Sequence, residues 1–190
     1  MEISKLTQAA DGLCQDLDQG IFVPLLEADI AAYLYHRLVL AEVPIPTIHL
    51  DTRIIGIPQF KYDLVIGSVK LDSEAERAAV NYPQLVVQIK LFPQWGFTHQ
   101  QHRVHYRHVV EDDIASFRLL RANFPNCKCC ELLADSHRGD LHGYLRGQDR
   151  SAQSTRIDRV CKLAAKAGIS VDWLHPANQT KTVSKWWSAE

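Results

Sequence analysis

Two short runs, Phe60–Ile66 and Gln84–Phe92, are dense enough in aliphatic and aromatic residues to be interior strands, yet both carry charged or amide side chains. A near-continuous apolar run of this length reads as a strand covered on both faces. In the first run Asp63 is bracketed by Tyr62 and Leu64. In the second, Gln88 and Lys90 lie two apart and so project from the same face. Burying such groups without partners costs several kcal/mol. The fold must therefore supply partners, and neighbouring strands would do so by bringing Asp63 beside Gln88 and Lys90 at one sheet edge. A third charge points the same way. Glu27 precedes Ile30, Ala31 and Leu34 at helical spacing and shares their inward stripe, whereas Asp29 lies off it and is expected in solvent.

The order of elements follows from periodicity. Residues 3–17 read as a first helix, with Ile3, Leu6, Leu13 and Leu17 on one side, and a second runs from about Pro24 to Leu40 until Pro44 and Pro46 stop it. Thr47–Gly56 alternates Ile48, Leu50 and Ile54 against His49, Asp51 and Arg53 like a half-buried strand, and the two denser runs follow. Ser73-Glu74-Ala75-Glu76 opens a short helix between them. A long polar helix spans His99–Phe124, ended by Pro125, then comes a strand at Cys127–Ala134 with a hairpin partner at Leu141–Leu145. A helix at Ser154–Ala167 and a strand at Ile169–Leu174 complete the series. Consecutive strands pair antiparallel and helical crossovers pair strands parallel, so the fold class is α/β, a mixed β-sheet flanked by helices on both faces.

Composition bounds the function classes. The 190 residues, 46% apolar and 23% charged, suit one globular domain, here residues 20–178, with an N-terminal helix at 1–19 and a polar tail at 179–190. No run approaches the roughly 20 apolar residues of a membrane span, and the start lacks the pattern of a signal peptide, so a cytoplasmic protein with no membrane partner is expected. The near-neutral total conceals an asymmetry. Residues 1–60 carry three Lys or Arg against eight acids, and residues 146–190 carry eight against four. The basic end could meet a phosphate backbone or serve as a solvated helix face.

The residues Lys61-Tyr62-Asp63-Leu64-Val65-Ile66, then Val86-Val87-Gln88-Ile89-Lys90, with Glu27 upstream, resemble the PD-(D/E)XK nuclease superfamily, the restriction-endonuclease-like fold. The resemblance covers about residues 20–135. It implies a restriction-endonuclease-like nuclease domain and a metal-dependent endonuclease acting on DNA, of the restriction, repair or mobile-element kind. By the same resemblance Asp63 is the central metal ligand, Gln88 takes the acidic position of the third strand, Lys90 the lysine position and Glu27 that of the helix glutamate. The Ile89 backbone carbonyl completes the ligand set for Mg²⁺, with Mn²⁺ as a substitute. Tyr62 stands where the nominal proline would be, and Gln88 where Asp or Glu is usual. Glutamine offers a neutral carbonyl oxygen, so it still ligates a hard cation with one unit less charge. The metal would polarise a phosphodiester oxygen and lower the pKa of a bound water, and Lys90 would orient that water. Cutting both strands would call for a homodimer or a larger complex.

Other features stand beside this one. His102, Arg103 and Tyr106 open the helix after the third strand and could contact phosphate, sugar or the attacking water; the His-x-x-His spacing there also suits a transition metal, and a plain polar helix face accounts for it equally. Cys127, Cys129 and Cys130 invite a zinc proposal, but strand alternation sends Cys127 and Cys129 one way and Cys130 the other, which favours buried apolar thiols. Trp186-Trp187 would pack on the domain or stack on a base or a partner. Two further functions compete: a non-catalytic nucleic-acid- or partner-binding member of the same fold, and an unrelated αβ interaction module whose buried charges form a structural bridge.

Overall fold

The computed structural model describes residues 2–69, 79–80, 82–92, 112–135, 165–166 and 169–174. Helix α1 (Glu2–Asp18) turns Leu6, Ala9, Ala10 and Leu13 inward, and α2 (Glu27–Leu40) does the same with Ile30, Ala31, Leu34 and Leu38. Asp16, Tyr33 and Arg37 tie the two together: the Tyr33 hydroxyl donates to Asp16, and Arg37 Nε donates to the Tyr33 hydroxyl at 2.8 Å. Helix α2 starts at Glu27 rather than Pro24, and Asp29 is the reason. Its Oδ2 accepts the Leu25 and Leu26 amides at 2.8 and 2.9 Å, closing the turn before the helix and satisfying donors that a helix start leaves over. Asp29 is therefore a capping group, not the merely solvated carboxylate expected.

Six strands form one mixed sheet: β1 (Ile48–Ile54), β2 (Ile57–Ser68), β3 (Ala79–Val80), β4 (Tyr82–Phe92), β5 (Lys128–Asp135) and β6 (Ser170–Leu174), in the spatial order β3-β1-β2-β4-β5-β6. The pairs β1/β2 and β2/β4 are antiparallel, while β4/β5 and β5/β6 are parallel. This is the α/β arrangement expected, with β3 added in parallel at the β1 edge. A third helix, α3, covers 112–123 and ends before Pro125. The helix at Ser73, the residues 99–111, the hairpin partner at Leu141–Leu145 and most of the helix at Ser154–Ala167 lie outside the described residues.

The sheet separates two apolar layers. On one face α1 and α2 cover Leu64, Ile66, Leu85, Val87, Ile89, Leu91, Cys130, Leu132 and Ala134. On the other, Ile114, Phe117 and Leu120 of α3 cover Tyr62, Val65, Val86, Cys127 and Cys129. Each fully buried Leu, Ile or Val contributes roughly 1.5–3 kcal/mol, so two such layers account for a cooperative core. The cysteines alternate between the layers as strand geometry demands, and all three are buried without forming a disulfide. No helix of the described residues is long and apolar enough to cross a membrane.

Strand alternation breaks at one level of the sheet. Ile48 and Ile54 of β1 lie an even number of positions apart yet sit in opposite layers, as do Tyr62 and Leu64 of β2. Asp51 has a left-handed φ of 44° between the first pair, and Asp63 lies between the second. The expected inward series Ile48, Leu50, Ile54 fails here, because Leu50 is exposed. The break opens the sheet beside Asp63.

Candidate functional site

The β2/β4 ladder runs from Ser68↔Tyr82 to Leu64↔Val87. Beyond that level, two carboxylates take over β4 amides that would otherwise lack acceptors. Asp63 Oδ2 accepts the Ile89 amide at 2.7 Å, and Glu27 Oε1 accepts the Leu91 amide at a long 3.4 Å. The two carboxylates thus meet where β2 and β4 part, one from the sheet and one from the start of α2.

Lys90 enters the same opening. It is 5% exposed, and its Nζ donates to the Ile89 carbonyl at 3.1 Å. From the far layer, Asp113 of α3 brings its Oδ2 to 3.2 Å from the same ammonium, an ion pair whose angles fall outside hydrogen-bond geometry. Glu131, opposite Gln88 in the β4/β5 pairing, is fully buried, and neither of its oxygens has a hydrogen-bond partner. Protonated, it is near enough to donate toward Asp113, although not in hydrogen-bond geometry as it stands. Leaving a buried polar group unsatisfied costs about 1–3 kcal/mol, more when it is charged.

Five ionisable groups therefore share one region of low dielectric: Glu27, Asp63, Lys90, Asp113 and Glu131. Burial pushes the Glu27 carboxyl up and Asp63 adds to it, with Lys90 opposing. Burial likewise raises Asp63, against the pull of Lys90 and the Ile89 amide. Asp113 is pushed up to about 6, by burial first and held back chiefly by Lys90. Glu131 rises well above the ordinary carboxyl range through complete burial and then the nearby Asp113. Burial would lower the Lys90 ammonium, but Asp113, Glu27, Glu131 and Asp63 more than offset that and raise it. Among the described residues a single cation, Lys90, faces four carboxyls.

On the α2 side the opening becomes a cleft of about 360 Å³, lined by Glu27, Ala31, Leu50, Asp51 and Asp63 among others. A hard divalent cation takes oxygen ligands, and this cleft offers carboxylate oxygens under a surplus of negative charge. The donor types fit. Among the described residues, however, no three His, Cys, Asp or Glu side chains are grouped tightly enough to hold one ion as they stand. Ion binding at Asp63 would have to draw Glu27 in from its long, 3.4 Å contact with the Leu91 amide.

The structure brings Glu27, Asp63, Ile89 and Lys90 to one opening. Gln88 is half-buried on the same strand, with the Asp63 and Lys90 contacts described above made without its amide. His102, Arg103 and Tyr106 lie outside the described residues. Asp113 and Glu131 are not singled out by sequence analysis, although both carry a signal. Glu131 interrupts an apolar strand as Asp63 does, and Asp113 precedes Phe117 and Leu120 by four and seven residues, on their inward stripe. No known protein family, curated protein or solved structure matches this chain.

Proposed function

We propose that the protein is a metal-dependent DNA endonuclease with a restriction-endonuclease-like fold, built around Asp63, Gln88, Lys90 and Glu27. The observation that carries this reading is the meeting of Asp63, Lys90 and Glu27 where β2 and β4 separate beside an open cleft. A purely structural strand would more readily carry an apolar residue than a lysine only 5% exposed. In this reading Asp63 and the Ile89 carbonyl hold Mg²⁺ or Mn²⁺, with Glu27 and the Gln88 amide oxygen completing the oxygen set. The ion supplies charge neutralisation at a phosphodiester oxygen and activation of water. Lys90 orients the attacking water and offsets the charge that develops on the phosphate.

The test is incubation with supercoiled, linear and branched DNA and with RNA, in Mg²⁺, Mn²⁺ and EDTA. Metal-dependent cleavage of DNA is expected, stronger in Mn²⁺. Asp63→Ala should abolish it together with Mn²⁺ binding measured by calorimetry, and Gln88→Glu should keep or raise it. Salt-sensitive DNA binding without cleavage would replace this reading by a non-catalytic binding protein. Cleavage undiminished in Asp63→Ala would remove the proposed centre altogether.

A further inference from the structure

Lys90 is held from two sides, and only one of them belongs to the site proposed above. A lysine stem is long and flexible, and fixing it costs up to about 2 kcal/mol of rotamer freedom. The Ile89 carbonyl belongs to the neighbouring residue on the same strand, so by itself it cannot orient the ammonium relative to other elements. Asp113 can, because it comes from α3 on the far layer and stands 3.2 Å away. Among the described residues the ion pair of this ammonium is with Asp113, whereas Glu131, the other carboxyl on that side, acts on it only through its charge. Glu27 and Asp63 also face Lys90, from α2 and β2, each while accepting a β4 amide, that of Leu91 and that of Ile89 respectively.

We infer that Asp113 is a positioning residue: from α3, on the face of the sheet to which the Lys90 side chain turns, it holds the Lys90 ammonium beside the Ile89 carbonyl. Lys90 itself would touch substrate; Asp113 acts through it. The catalytic meaning of this hold rests on the nuclease reading, whereas the hold itself does not.

The experiment separates the two. Native protein is labelled with a trace of acetic anhydride, and acetylation of each lysine is read by mass spectrometry. In the unaltered protein Lys90 should be the slowest of the described lysines. Asp113→Asn, which keeps shape and removes charge, should raise Lys90 labelling about tenfold or more while Lys5 and Lys61 are unchanged. Asp113→Glu should restore protection. With a cleaved substrate in hand, Asp113→Asn should lower kcat about 10- to 100-fold with KM little changed, the usual penalty for a misplaced group, and Asp113→Glu should recover part of it. Unchanged Lys90 labelling in folded Asp113→Asn overturns the inference. So does equal exposure of Lys90 in Glu131→Gln, which would mean general loosening around a buried acid. If no nucleic acid is cut by any form, the nuclease reading fails while the labelling still decides the role of Asp113.

Discussion

Asp113 should make folding stability depend on pH in an unusual direction. Its carboxyl is raised from 3.8 to about 6 by burial, with Lys90 opposing. A carboxyl whose folded pKa lies above its unfolded value binds more protons folded than unfolded. Its contribution is therefore fully present below about 3.8 and is lost as pH rises through about 6. A shift of this size is worth on the order of 2–4 kcal/mol at 1.36 kcal/mol per unit. Urea unfolding of the unaltered protein and of Asp113→Asn at pH 7, 5.5 and 4 isolates this group. The difference in unfolding free energy should move in favour of the unaltered protein by about that amount as pH falls, because Asn cannot take up the proton. A difference that stays constant, or moves the other way, would refute the burial argument for Asp113 and with it the idea that these carboxyls share a region of low dielectric.

Lys90→Met removes a cation that faces four carboxyls, and breaking a buried pair costs about 3–5 kcal/mol. The loss should be larger at pH 8 than at pH 5 by urea unfolding, since the carboxyls become neutral on acidification; equal losses would argue against the charge cluster. Gly67→Ala should destabilise by about 1–3 kcal/mol, because a Cβ there would stand 2.6 Å from the Tyr82 carbonyl oxygen, where β2 and β4 shift register. A melting temperature unchanged in Gly67→Ala would place the two strands farther apart than described.

How much of this was legible in the sequence depends on what each residue had as neighbours in the chain. Asp63, Lys90 and Glu27 stand out because each is a charge on an otherwise apolar stripe, and strand and helix periodicity suffice to see that. The mixed sheet follows from the order of strand and helix patterns. Glu131 breaks a strand in the same manner, but the adjacent cysteines draw attention to a different chemistry. Asp113 sits beside Glu111 and Asp112, so its spacing of four and seven to Phe117 and Leu120 is a faint mark within a run of three acids. The face switch at Asp51 and Asp63 is a tertiary event. No two-residue period foresees a left-handed residue in the middle of a strand.

The alternation of β4 has a consequence for how this chain can vary in length. Val86 packs under α3, while Val87 and Ile89 pack under α1 and α2, so neighbouring residues serve opposite layers. Removing one residue from the strand would turn everything beyond it to the other side. Deletion of Val87 would present the Lys90 ammonium to the aliphatic layer of α1 and α2, and Ile89 to Asp113 and Glu131. No side-chain adjustment reconciles either outcome, so such a deletion should leave no cooperative melting transition. A near-native transition in that variant would contradict the assignment of faces. Substitutions can enter this strand one at a time, but gain or loss of a single residue inside it is closed to the chain.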